Sequence, residues 1–211
     1  DMQPDQNWRY SGGGYTVIQL AVESASQQPF DQYIQQQILN PMGMSQSTYS
    51  LSLTEQQQAL ASAAYDGQGS LIDGVWHRYP EMAAAGLWTT PTDLATYVIH
   101  MHEIAKGKTT GVLSQITVQD IFTPHQNDWG LGPVLNKVEG KLTFGHGGKN
   151  AGFTNDFMAF VASGDGVIVM ANGDNANGLI QEIMIAVSEV YGWNSHDRIS
   201  VTEHAQSSDV Q

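Results

Sequence analysis

The residues best suited to chemistry lie between Phe144 and Lys149, where His146 stands among three glycines. The pattern around them predicts that this run ends a β-strand. Glycine within a strand usually means that a ligand or another backbone approaches closely. A histidine titrates near neutral pH, so one at this place indicates a polarised or reacting ligand. A lone histidine on a strand is also compatible with a purely structural role.

A second candidate is Tyr10, which opens a glycine-rich turn that runs to Gly14. The apolar residues Val17, Ile18 and Leu20 follow it at spacings that predict a helix with one apolar side. Tyr10 therefore stands just before the start of a helix. In isolation, a tyrosine at such a turn is most simply interpreted as a structural residue.

No nucleophile motif accompanies these two residues. Neither Gly-x-Ser-x-Gly nor Ser-x-x-Lys occurs, and Gly107-Lys108 lacks the upstream glycine of a phosphate loop because His102 occupies that place. His100 and His102 are two residues apart on a predicted helix, so they point to different faces and do not predict a metal site. The chain has no cysteine, which excludes thiol catalysis. We therefore expect neither a metal nor a cofactor.

The charge balance narrows the class of partner. The 211 residues include 21 acidic and 8 basic side chains, for a net charge of −13. Nucleic-acid and anionic-membrane partners both require clustered Lys and Arg, so we expect neither. The apolar runs are also too short to insert into a bilayer. A small-molecule or peptide substrate remains.

Periodicity and capping residues predict helices followed by an antiparallel sheet and a last helix, an α+β arrangement. We expect residues 1–193 to belong to one domain without a linker, and residues 194–211 to form a polar tail. The predicted helices begin at the Tyr10 turn and span residues 29–40, 54–65, 90–107, 114–122 and 177–191. The predicted strands span residues 129–138, 141–145, 153–162 and 166–172.

Five short motifs in this order resemble the class C β-lactamase-like serine hydrolases, a group that includes D-amino-acid peptidases and esterases. One of the five is Gly14-Tyr15 with the helix that follows it. Tyr10-Ser11-Gly12 resembles their Tyr-x-Asn motif, and the run from Asn40 to Met44 resembles Pro-Leu-Gly-Met. The run from Ala84 to Leu94 resembles Gly-Gly-Leu-x-Ser-Thr-x-x-Asp-Leu, and His146-Gly147-Gly148 stands at the place of Lys-Thr-Gly or His-x-Gly. The resemblance covers residues 4–190. It implies a β-lactamase/transpeptidase-like fold with an antiparallel sheet flanked by helices.

The resemblance implies that the nucleophile lies outside this sequence. In the family it is the Ser of Ser-x-x-Lys, upstream of the tyrosine motif. The chain is then expected to be the C-terminal portion of a larger domain, completed by an N-terminal chain or by a second copy in a homodimer. Family members are mostly exported, so we expect a periplasmic or extracellular protein, with a cytoplasmic esterase as the exception.

The resemblance also implies roles for individual residues. Tyr10 would be the general base, and His146 would line the opposite wall of the site. The backbone N–H of Lys149 would donate to the oxyanion, while Gly12, Gly147 and Gly148 would contact substrate. Gly12 replaces an asparagine and His146 replaces a lysine, which favours an esterase or D-peptidase over an efficient β-lactamase. The alternative is a non-catalytic ligand-binding member or an inactive truncated product.

Overall fold

The computed structural model describes residues 6–108 and 111–193. Helices come first in the chain, a four-stranded sheet follows, and a final helix closes the order. The predicted tail, residues 194–211, lies outside the described residues. The elements are α1 Gly12–Ser26, α2 Phe30–Ile34, a π-helical turn Gln35–Leu39, α3 Asn40–Met42, α4 Glu55–Leu60, α5 Met82–Ala85, α6 Pro91–Ala105, α7 Gln115–Ile121, β1 Val134–Val138, β2 Lys141–Asn150, β3 Phe153–Phe160, β4 Gly166–Ala171 and α8 Asn177–Val190.

The sheet is an antiparallel meander in the order β1-β2-β3-β4. Glu139 and Gly140 both have positive φ, which suits the tight turn that joins β1 to β2. β1 pairs only with Lys141–Gly145 of β2, whereas β3 pairs with β2 as far as Asn150. The second half of β2 therefore presents one edge that no strand of the described chain covers.

Alternation along the strands divides the sheet into two buried faces. On one face, Phe144 and Ala159 pack against Met101 of α6 and Val118 of α7. On the other face, β4 packs against α8 through a cluster that comprises Val167, Ala176, Ile180 and Met184. His146 and Gly148 follow Phe144 at intervals of two residues, so they lie on the same face of the sheet, the one that α6 covers.

Capping residues set the helix starts as predicted. Thr90 accepts a hydrogen bond from Asp93 N, Ser114 accepts one from Thr117 N, and Thr54 forms a capping box with Gln57. Each of these caps satisfies backbone donors that the first turn would leave free. The prediction of an α+β protein with a helix-flanked antiparallel sheet is confirmed.

Several predicted boundaries were wrong for identifiable reasons. Trp129 makes only isolated bridges, so β1 begins at Val134, and the strand predicted to end at Gly145 continues to Asn150. The helix predicted to stop before Pro41 passes through it, because a π-helical turn already interrupts the regular bonding there. The helix predicted over residues 54–65 ends at Leu60, five residues earlier than expected.

The predicted apolar side of α1 is not buried. Val17, Ile18 and Leu20 are 65%, 49% and 59% exposed, while Gln19 is buried and bonded to Pro80 O and Ala83 N. None of the helices in the described ranges is both long and apolar enough to cross a bilayer.

Candidate active site

Tyr10 and His146 lie together although 136 positions separate them in the chain. Their ring centroids are 6.1 Å apart. Tyr10 directly precedes Ser11, whose Oγ caps α1 by accepting a hydrogen bond from Gly14 N at 3.0 Å. His146 lies on β2, on the sheet face that α6 covers. The start of α1 and the second half of β2 therefore form the two facing sides of a candidate site.

The ring of Trp129 lies beside the side chains of both Tyr10 and His146. Its ring centroid is 5.6 Å from that of Tyr10 and 5.7 Å from that of His146. Trp8 also stacks on Trp129, with a centroid separation of 5.3 Å. The sequence pattern predicted only a strand at Trp129. The adjacent Gly130 was a signal in the sequence for a tight turn at this place. In the structure, a Cβ on residue 130 would lie only 2.0 Å from Ile121 O, so the position requires glycine.

The surroundings of His146 favour the neutral form of its imidazole. Burial lowers the pKa of its imidazole, and the hydrogen bond with the Gly147 carbonyl opposes this only in part. A carbonyl can only accept, so Nδ1 carries the proton that it donates to Gly147 O. Nε2 is then left as an unprotonated acceptor. A neutral imidazole here can accept or relay a hydrogen bond, but it supplies no fixed positive charge.

Tyr10 carries its proton in this environment. Burial raises the pKa of its phenol, and the nearby Tyr15 adds to the rise. The expected role as a base requires the opposite direction, which a neighbouring lysine ammonium would produce by favouring the phenolate. That lysine belongs to the Ser-x-x-Lys motif, which this sequence does not contain.

The backbone of β2 points toward the uncovered edge at alternate residues. Val161 N donates to Leu142 O, so even-numbered residues of β2 bond to β3. The N–H and C=O groups of Gly147 and Lys149 consequently face the other edge, where β1 has ended. This is the direction that the predicted oxyanion donor at Lys149 requires.

The glycines of the run have different surroundings. A Cβ on Gly148 would lie 2.9 Å from both Nδ2 and Oδ1 of Asn155, its partner on β3, so a larger residue there requires the Asn155 side chain to move. A Cβ on Gly145 would lie 2.3 Å from Phe157 O. Gly12, in contrast, has open space around it. The sequence pattern did not predict Asn155 as a neighbour of Gly148.

A cavity of about 330 Å³ opens at the far end of β2. Asn155 lines it beside Gly148, so it begins about two residues beyond His146, roughly 7 Å along the strand. Asn150 Nδ2 donates to Ala85 O at 2.8 Å, and Ala151 N donates to Tyr79 OH at 2.9 Å. These bonds tie the cavity's walls to the β2–β3 turn. Its other lining residues include Arg78, Trp88, Phe153 and Met170.

Potential metal ligands do not converge. Within residues 6–108 and 111–193, no three His, Asp or Glu side chains lie close enough to hold an ion. His102 instead bonds through Nδ1 with Val161 O at 2.9 Å.

Comparison with solved structures identifies the fold. The octameric penicillin-binding protein homologue from Pyrococcus abyssi aligns with a TM-score of 0.70 at 20% identity, over 93% of this chain and 45% of that one. A D-stereospecific amidohydrolase from Streptomyces sp. gives 0.70 at 19% identity over 91% and 57%. The D-amino acid amidase from Ochrobactrum anthropi SV3 gives 0.67 at 18% identity over 92% and 59%.

Sequence comparison identifies the family. A putative D-alanyl-D-alanine carboxypeptidase from Escherichia coli K12 is 30% identical over 88 residues, which are 42% of this chain and 20% of that protein. The chain thus spans only part of the length of its relatives. The family model described as Beta-lactamase matches residues 1–186. The chain therefore belongs to the Beta-lactamase family.

Proposed function

We propose that the chain provides one half of a serine-hydrolase site that acts through an acyl-enzyme on an ester or a D-configured peptide. The observation that carries this proposal is the approach of Tyr10 to His146 beside an uncovered strand edge. The nucleophilic serine and its lysine would come from sequence outside residues 1–211.

The mechanism assigns each group one task. The serine hydroxyl adds to the substrate carbonyl, and its proton passes to Tyr10 after the lysine ammonium has favoured the phenolate. The carbonyl oxygen becomes an oxyanion that accepts hydrogen bonds from Lys149 N–H and from the serine's own N–H. The tetrahedral intermediate then expels the alcohol or amine, which takes the proton from Tyr10. Water repeats these steps and releases the acid.

The neutral His146 bears on the class of substrate. A permanent cation at this place would attract the carboxylate of a β-lactam, whereas a neutral imidazole does not. Gly12 likewise offers no side-chain amide for the substrate's acyl amide. Both features favour esters and D-peptides over β-lactams as substrates. The names of similar proteins, a D-amino acid amidase and a D-alanyl-D-alanine carboxypeptidase, support the D configuration.

The exposed side of α1 supports a complementing segment. Val17, Ile18 and Leu20 are exposed within four positions of α1, and monomeric proteins rarely leave large apolar surfaces uncovered. We propose that the segment with Ser-x-x-Lys packs on this surface and into the cavity near Asn155. A homodimer is the competing way to cover it. The compartment that we propose is the periplasm or the extracellular space.

The decisive experiment compares this chain with a version extended upstream through the nucleophile motif. Both are incubated with a fluorophosphonate probe and with p-nitrophenyl esters, D-alanyl peptides and nitrocefin. We expect the extended protein to be labelled and to hydrolyse esters or D-peptides faster than nitrocefin, and the 211-residue chain to remain unlabelled. Labelling of the 211-residue chain would show that the nucleophile lies within it. An upstream sequence without Ser-x-x-Lys would favour the non-catalytic ligand-binding alternative.

A further inference from the structure

We infer that Trp129 is a positioning residue that fixes Tyr10 against β2 and encloses His146. The role in turnover rests on the proposed function, whereas the role in positioning the two side chains does not. Trp129 contacts both of them and Trp8 besides.

The segment before α1 depends on these ring contacts. Within the described chain, residues 7–10 make no hydrogen bond, and the first cap bond belongs to Ser11. The contacts that orient this segment are therefore the stack of Trp8 on Trp129 and the packing of Tyr10 against Trp129 and His146. A side chain without a hydrogen bond keeps a single position only if its packing excludes the others.

Trp129 itself is well anchored. The backbone N–H of Trp129 donates to Gln126 O at 3.2 Å, and its backbone carbonyl accepts from His125 N at 2.9 Å. An isolated bridge to Val134 connects it to the start of β1. Gly130 next to it is pressed against Ile121 O, where no larger residue fits. The backbone of Trp129 is consequently fixed at the point where the Tyr10 segment packs on its ring.

The same indole excludes water from His146. It meets the imidazole edge to face, at an interplanar angle of 69°. Tyr10 is the titratable side chain in ring contact with His146, and Phe157, the partner of His146 on β3, is uncharged. The imidazole pKa is therefore set by burial, which lowers it, and by the hydrogen bond with the Gly147 carbonyl, which raises it. Loss of the indole should hydrate the imidazole and favour its protonated form.

The test uses the 211-residue chain and two substitutions, Trp129→Leu and Trp129→Phe. NMR titration follows the seven histidines, with His146 assigned by the signal that His146→Gln removes. We expect the His146 pKa to rise toward 6.5, its ordinary value, in Trp129→Leu, and to rise less in Trp129→Phe. Nuclear Overhauser contacts between the Tyr10 and His146 rings should disappear in Trp129→Leu and persist in Trp129→Phe.

Trp76→Leu is the matched control. Trp76 is also partly buried, and its ring packs on Trp88 at 5.5 Å, outside the site. This control should leave the His146 titration and the Tyr10–His146 contacts unchanged. If Trp129→Leu does not fold, Trp129→Phe alone must raise the pKa, and a titration that matches the wild type would overturn the inference. Unchanged ring contacts in a folded Trp129→Leu would overturn it as well.

Kinetics on the extended protein separate this inference from the proposed function. There, Trp129→Leu should lower kcat/KM more than tenfold and shift the acidic limb of the kcat/KM profile to higher pH. Trp129→Phe should retain most of the wild-type activity. An extended protein without hydrolase activity would reject the proposed function and leave the titration and the ring contacts to decide on Trp129. Full activity with an unshifted profile in Trp129→Leu would overturn the positioning role.

Discussion

Asp156→Asn is expected to stabilise the folded chain at neutral pH and to have little effect in acid. Asp156 lies opposite Gly147 on β3, and its side position is on the α8 face, away from His146. It is only 5% exposed, and burial raises the pKa of its carboxyl from 3.8 to about 6. A buried carboxylate is costly unless it is paired, which is the physical origin of the shift.

The size of the effect follows from linkage. A pKa of about 6 in the folded chain against 3.8 in the unfolded chain means that folding tightens proton binding about a hundredfold. The ionised carboxyl therefore costs about 3 kcal/mol of stability above pH 7, and this cost disappears as the pH falls below about 4. Asparagine has the same shape and cannot ionise. In a domain of this size, 3 kcal/mol corresponds to a rise in Tm of about 6–12 °C.

The assay is thermal or urea unfolding of wild type and variant at unit steps from pH 4 to pH 8. The difference in stability should be small at pH 4, grow through pH 5 and 6, and level off above pH 7. Asp165→Asn, in the exposed turn between β3 and β4, controls for the general loss of a negative charge from a chain of net charge −13. A stability difference that does not change with pH, or one that Asp165→Asn reproduces, would refute the reasoning.

Three further predictions concern the site and its surroundings. Tyr10→Phe should lower kcat of the extended protein by about 10² or more, measured on a p-nitrophenyl ester, and near-normal turnover would remove Tyr10 from the mechanism. Gly148→Ala should cost at most about 1 kcal/mol in urea unfolding, because the atoms that its Cβ meets are the end of the flexible Asn155 side chain, and Asn155→Ala should recover that loss. The 211-residue chain should associate in sedimentation experiments at high concentration. Ile18→Lys, on the exposed side of α1, should weaken that association. A monomer at all concentrations would count against a complementing partner.

Local signals were sufficient for the order of elements and for most helix starts. Thr90 and Ser114 act through bonds to residues three positions away, so the sequence alone contains both partners of the cap. Strand limits were less predictable. The alternation of apolar and polar residues suggested a strand from Trp129, but Trp129 makes only isolated bridges. The glycines after Gly145 concealed the continuation of β2 to Asn150.

The two sides of the site could be proposed only from the family resemblance. No local pattern relates Tyr10 to His146, because their approach depends on the tertiary packing that brings the segment before α1 to β2. Trp129 and Asn155 were missed for the same reason. Their contacts depend on a loop conformation and on the register between β2 and β3.

Gly148 shows how the sequence and the structure assign different reasons to one residue. A glycine on a strand beside a histidine suggested space for a ligand, and the uncovered edge of β2 is compatible with that role. The register adds a second requirement, because the Asn155 amide lies where a Cβ would be. The two explanations differ in their consequences. If only ligand space mattered, Gly148→Ala would lower activity and leave stability unchanged; if Asn155 packing matters, the same substitution lowers stability, and Asn155→Ala separates the two effects.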